Sequence, residues 1–179
     1  NEKRRTYAAM VSAVDDGVGT LLDRIDEPNL AEDTIIFFLS DNGGPETKNS
    51  SDNGALRGGK GDAWEGGYRV PYAVQWKGVL PPGTEYHKPV SSLDIMGTIA
   101  DLAGVSEDSK RPLDGVTLIP HLPGKHTATP HDALYLRKLD GQKDPIRSAD
   151  HTFILQCKGA AAQPTHLGQD IGDHSHMSA

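Results

Sequence analysis

The 179 residues contain one cysteine, Cys157, so no internal disulfide staples the fold and cysteine usage leaves the redox compartment open. No apolar run approaches the length that a membrane-spanning helix requires. The first residues, Asn1-Glu-Lys-Arg-Arg5, lead directly into a helical pattern without an apolar signal core, so a targeting segment is expected to be absent from this chain or already removed. Eighteen basic residues face twenty-five acidic ones, a net charge of -7, and no basic stripe stands out, which argues against nucleic acid as a partner and requires local cations for any anionic substrate. No internal repeat is present. Twenty glycines and twelve prolines, with Ile, Leu and Val in runs, describe a loop-rich globular protein able to bury a core.

The most informative stretch covers residues 34–67. Its apolar run, 35–39, holds no polar residue and predicts a strand buried on both faces, as in a parallel sheet covered by helices. Open α/β sheets bind ligands beyond the carboxyl ends of their strands, and Asp41-Asn42-Gly43-Gly44 follows at once. Asp41 offers a carboxylate and Asn42 an amide oxygen, which suit a hard divalent cation; an Asx-type turn accounts for the same tetrapeptide equally well. Lys60, set among Gly58, Gly59 and Gly61, could meet an oxyanion together with exposed backbone N–H groups, or could sit in a flexible exposed loop. The run from Gly54 to Gly61 nearly matches a nucleotide phosphate-binding loop. It fails because Gly61 has no hydroxyl for magnesium and polar residues 49–53 stand where a buried strand is required.

Around this centre, apolar residues at Tyr7, Met10, Val11, Val14, Val18, Leu21, Leu22 and Ile25 predict an amphipathic helix, closed near Glu27-Pro28-Asn29. Asp15 and Asp16 lie on its solvated side, and Gly17 and Gly19, poor helix formers, suggest close packing there. The polar residues 45–53 read as a surface loop, with Asn49-Ser50-Ser51 fitting a glycosylation acceptor. A strand is expected within 70–76, then a helix over 93–103, capped by Ser91 or Ser92, stopped by Gly104, and burying Leu93, Met96, Ile99, Ala100 and Ala103. Further strands are expected at 133–137 and 152–157, in a small antiparallel sheet. Residues 1–124 are expected to form one unit and 125–179 a smaller one. From residue 159 the chain is too polar for a core, and His174 and His176 read as a frayed tail rather than a metal pair.

Four blocks occur together in order: Tyr7-Ala-Ala-Met-Val-x-x-Val14-Asp-x-x-Val-Gly19, Leu39-Ser-Asp-Asn-Gly-Gly44, Leu56-Arg-Gly-Gly-Lys-Gly-x-x-x-Glu65-Gly-Gly67 and Ser92-Leu-Asp-Ile-x-x-Thr-Ile-x-x-Leu-Ala-Gly104. In order and spacing they resemble the type I sulfatases, of the arylsulfatase and N-acetylgalactosamine-6-sulfatase kind within the alkaline phosphatase superfamily. Ala133-Leu-Tyr-Leu, Ile146-Arg-Ser-Ala-Asp150 and Asp170-Ile-Gly172 resemble that family's C-terminal part. The resemblance implies an α/β fold, part of a mixed sheet with helices, followed by a small antiparallel C-terminal α+β subdomain. It also implies hydrolysis of sulfate esters, with the substrate left open among a sulfated glycan, a small aryl sulfate and a steroid, outside the cytoplasm (periplasmic, secreted or lysosomal); no membrane partner is expected.

The same resemblance makes Asp41 and Asn42 calcium ligands and Lys60 the catalytic and substrate-binding residue that meets the sulfate. Asparagine after the aspartate, where phosphatase and phosphodiesterase relatives usually have histidine, favours sulfate over phosphate esters. The family nucleophile, a formylglycine made from Cys or Ser in Cys/Ser-x-Pro-x-Arg, has no counterpart here. Lys143-Asp-Pro145-Ile-Arg147 carries lysine at the reacting position, and Cys157 lacks the Pro and Arg. The chain therefore resembles a C-terminal portion carrying half a site, expected to be inactive alone and to need an N-terminal portion. A phosphodiesterase or phosphatase of the same superfamily, and a non-catalytic binding chain, are the rival readings.

Overall fold

The computed structural model describes residues 2–27, 30–106, 108–122, 128–137, 143–148, 151–156 and 163–166. It opens with helix α1, Glu2–Asp26, which runs up to the Glu27-Pro28-Asn29 stop, where proline can no longer supply a helical N–H. A single 3-10 turn, Ala31–Asp33, delivers the chain to strand β1, Ile36–Leu39. Short helices α2, Glu46–Asn49, and α3, Glu65–Tyr68, follow, then strand β2, Tyr72–Gln75, and helix α4, Asp94–Leu102.

β1 pairs with β2 in antiparallel register, Ile36 opposite Gln75 and Leu39 opposite Tyr72. This corrects the expectation of a parallel strand buried on both faces: among the described residues β2 is the only strand beside β1, and Phe38 remains 48% exposed. An all-apolar run demands covering elements but says nothing about which segment supplies them. A second sheet, antiparallel throughout, joins β3, Ala133–Tyr135, β4, Lys143–Ser148, β5, His151–Gln156, and β6, Gln163–His166, in that order. β4 and β6 were not expected from the sequence. Pro145 lies in β4 between two paired neighbours, where it cannot donate to the ladder, although its carbonyl still accepts the Leu136 N–H at 2.9 Å. Pro164 similarly interrupts the pattern of β6. The proposed unit boundary at 124/125, Cys157, His174 and His176 lie outside the described residues.

The helical stripes hold a second correction. α1 buries none of its residues, with Met10 63% and Leu21 65% exposed, and a Cβ built on Gly17 or Gly19 meets nothing within 4 Å. α4 turns inward not its apolar stripe but Asp94, Gly97 and Thr98, while Leu93, Met96 and Ile99 stay exposed. A periodicity of three and four marks both faces of α4, and the small polar face is the one that meets residues 115–118. A Cβ on Gly97 would stand 2.7 Å from the Val116 carbonyl carbon, so only glycine permits this approach. Thr98 Oγ1 accepts the Leu118 N–H at 3.0 Å. The start of α4 is built as expected of a capping arrangement: Ser91 Oγ accepts the Leu93 N–H, and Asp94 Oδ2 accepts the Ser91 N–H at 2.7 Å. Gly104, at φ +65, closes it. No helix among the described residues is long and apolar enough to cross a membrane.

Candidate active site

Past β1 the ladder ends on a bond from the Ser40 N–H to the Pro71 carbonyl, 3.2 Å. Ser40 Oγ donates to the Asn42 carbonyl at 2.9 Å, so its hydroxyl shapes the turn. Asp41 Oδ1 accepts the Asn42 N–H at 3.0 Å, and Asn42 Nδ2 donates to the Gly43 carbonyl at 3.0 Å. The turn reading and the ligand reading are thus compatible, since turn formation uses one carboxylate oxygen and the amide nitrogen. Among the described residues no hydrogen bond engages Asp41 Oδ2 or Asn42 Oδ1. Both are oxygens, one of them anionic, which is the donor chemistry of a hard cation such as calcium. No group of three or more His, Cys, Asp or Glu residues that could hold a metal ion gathers among the described residues.

The lysine loop folds back on that turn. The Gly43 N–H donates to the Gly67 carbonyl at 2.9 Å, and the Lys60 N–H reaches the Gly44 carbonyl at 3.4 Å. Within the loop the Gly66 N–H donates to the Arg57 carbonyl, 2.7 Å, and the Gly59 N–H to Asp62 Oδ2, 2.9 Å. The backbone donors at Gly59 and Lys60 are therefore engaged inside the protein, so of the expected loop donors these two do not face an oxyanion. Gly43 and Gly59 serve close packing, whereas a Cβ on Gly61 would meet nothing within 4 Å. A Cβ on Gly43 would lie 1.7 Å from the Gly66 oxygen, and one on Gly59 2.4 Å from the Gly44 oxygen. What faces solvent is the Lys60 side chain, with no ion pair among the described residues. Arg57 stacks its guanidinium 3.5 Å over the Trp64 ring, stiffening the same loop.

Sequence reading passed over the distant partners of three side chains, two of which, Asn53 and Glu65, hold these loops. Asn53, within a stretch read only as polar surface, bonds to both loops through its side-chain amide. Glu65, at 0% exposure, pairs with Arg69 at 3.0 Å and with Arg147 of β4 at 3.2 Å. The segment that most nearly approached a formylglycine motif is thus a strand whose arginine clasps the site loop. Asp94, also at 0%, receives His131 Nε2 at 2.8 Å and the Val116 N–H at 3.0 Å. Charged residues placed in Gly-rich or turn contexts were the available signal, but their partners lie too far along the chain to be paired by spacing.

Two hollows flank the turn. One of about 400 Å³ is lined by Tyr7, Ser40, Asn42, Ser51 and Arg69. The other, about 920 Å³, extends from Asp41 past Tyr72 and Lys88 to Arg147. Burial, reinforced by the Asp94 carboxylate, pushes the Tyr72 hydroxyl up to about 12.

The solved structure of Ps i-CgsB in complex with k-i-k-neocarrahexaose superposes on 99% of this chain and 39% of its own, with a TM-score of 0.89 and 34% identity. That places the chain in the class of alkaline-phosphatase-like α/β folds. The sulfatase family model matches residues 1–105. Steryl-sulfatase of Rattus norvegicus is 38% identical over 136 residues, 72% of this chain and 24% of its own length, and arylsulfatase of Hemicentrotus pulcherrimus is 37% identical over 136 residues, 74% and 24%. The chain belongs to the sulfatase family. It spans about a quarter of the length of these curated relatives.

Proposed function

We propose that this chain supplies the calcium-loop and sulfate-binding half of a sulfuric ester hydrolase acting on sulfate esters, sulfated glycans among them, in an extracytoplasmic setting. The observation that supports this reading most is the joining of the Asp41–Asn42 turn and the Lys60 loop at the carboxyl end of β1 through the Gly43–Gly67 and Lys60–Gly44 bonds. Asp41 would hold the cation through its carboxylate and Asn42 through its amide oxygen. Calcium there would supply a fixed positive charge for sulfate oxygens. Lys60 donates charge-assisted hydrogen bonds to the same anion and counters the charge that develops as the ester bond breaks. The nucleophile and the remaining cation ligands come from the rest of the protein, with formylglycine as the nucleophile the family resemblance implies. The exposed stripes of α1 and α4, together with Phe38, are the surfaces that this N-terminal portion would cover.

The glycan reading draws support from Ps i-CgsB, whose structure holds k-i-k-neocarrahexaose. The test is kinetic. In the complete enzyme Lys60→Ala should lower turnover of an aryl sulfate by about 100-fold or more, the scale for removing one transition-state charge partner. Near-normal turnover by a folded Lys60→Ala protein, or a phosphate ester hydrolysed faster than the matching sulfate ester, would overturn it.

A further inference from the structure

Asn53 lies in the loop between α2 and the lysine loop, and its side chain is committed entirely to backbone. Oδ1 accepts the Gly44 N–H at 2.8 Å, while Nδ2 donates to the Gly44 carbonyl at 3.0 Å and to the Gly58 carbonyl at 3.0 Å. One backbone donor on one side and two backbone acceptors on the other define which end of the amide is which. Its own N–H donates to Glu46 Oε1 at 2.9 Å, which ties the residue to α2. Gly44 stands two residues after Asn42, and Gly58 two before Lys60. One planar amide thus spans the gap between the turn that carries the cation ligands and the loop that carries the lysine.

The direct backbone bond beside it, from the Lys60 N–H to the Gly44 carbonyl, is long at 3.4 Å, so the shorter contacts through Asn53 carry more of the registration. The chemistry is specific to a side chain of this length with a donor and an acceptor in one plane. Aspartate has the same size but no N–H groups, and it would set a carboxylate against two carbonyl oxygens. Alanine removes all three side-chain bonds.

We propose that Asn53 is a positioning residue for sulfate ester hydrolysis: its amide sets the separation between the Asp41–Asn42 pair and Lys60, and it touches neither the cation nor the sulfate. This rests on the reading of those three residues given above. Displacing a binding group by about 1 Å can lower a rate about 100-fold, so the effect belongs in kcat and in anion affinity as well as in folding.

The experiment is a double-mutant cycle in the complete enzyme, pairing Asn53→Ala and, separately, Asn53→Asp with Lys60→Ala. It reads kcat/KM for an aryl sulfate and, by calorimetry, the dissociation constant of inorganic sulfate. Each single Asn53 variant is expected to lose about 10- to 100-fold in kcat/KM, mostly in kcat, and to bind sulfate more weakly. Once Lys60 is alanine, the further loss from either Asn53 change should shrink to less than about threefold, because the group being positioned is gone. Losses that multiply in full would show a general contribution to folding and overturn the inference. Wild-type kinetics in both Asn53 variants, beside a crippled Lys60→Ala enzyme, would overturn the inference and leave the sulfate role of Lys60 standing. A fully active Lys60→Ala enzyme would overturn both. Should Asn53→Ala fail to fold, the isosteric Asn53→Asp arm carries the same comparison.

Discussion

Replacing Arg147 with alanine tests how the C-terminal sheet supports the site. Glu65 is wholly enclosed, and the two arginines paired with it differ in setting: Arg147 has a side chain 13% exposed, 3.2 Å from Oε1, whereas Arg69 is 47% exposed, 3.0 Å from Oε2. At an effective dielectric of about 20 the Arg147 attraction is about 5 kcal/mol before desolvation is counted. Truncating one partner of a buried pair typically costs about 3–5 kcal/mol, because the remaining charge keeps its desolvation cost and loses compensation; with Arg69 still on Glu65, the loss here belongs at the low end of that range. Arg69, half in water, should contribute less than about 1 kcal/mol. Arg147→Ala is therefore expected to destabilise the protein at least about three times as much as Arg69→Ala. It should also lower activity, since Glu65 opens α3 and the Gly67 carbonyl in α3 holds Gly43. Chemical unfolding of the complete protein, followed by the fluorescence of Trp64 and Trp76, would measure this. Equal midpoints for the two arginine variants would refute the reasoning, because they would mean that burial of the arginine does not separate the two pairs.

Asp41→Ala in the complete protein should lower both bound calcium and turnover, measured by metal analysis beside an aryl sulfate assay; unchanged metal content would remove Asp41 from the ligand set. Gly43→Ala should cost about 3 kcal/mol or more and disturb the site, because the new methyl would meet the Gly66 backbone oxygen at 1.7 Å and no flexible side-chain end is there to yield. This chain alone should hydrolyse no sulfate ester at a useful rate, and activity should appear only when a separately made N-terminal portion carrying formylglycine is added; turnover by the purified chain alone would refute this. Tyr72 holds its proton more tightly folded than unfolded, so its contribution to stability is intact below pH 10 and falls as pH rises towards about 12; melts of Tyr72→Phe against the parent across that window should show a shallower decline in the variant.

The local features were legible in the residues themselves. The three-and-four spacing of α1, the Ser91 and Asp94 start of α4, its Gly104 stop and the turn at Asp41–Asn42 all depend on contacts between residues a few positions apart, which sequence displays directly. The four blocks in register likewise carried the sulfatase family. What only the tertiary structure decided is which surfaces and which charges meet. The apolar run of β1 gave no sign that its partner would be antiparallel β2, thirty-odd residues away. The stripe of α4 did not reveal that Asp94, Gly97 and Thr98 would be the covered face, because apolar periodicity reports a preference for burial and not the presence of a neighbour. β4 was hidden by Pro145, whose missing N–H argues locally against a strand even though its carbonyl is still used. Asn53 and Glu65 looked like ordinary loop residues, since the atoms that satisfy them, on Gly44, Gly58 and Arg147, are brought there by chain closure and by no regularity of spacing.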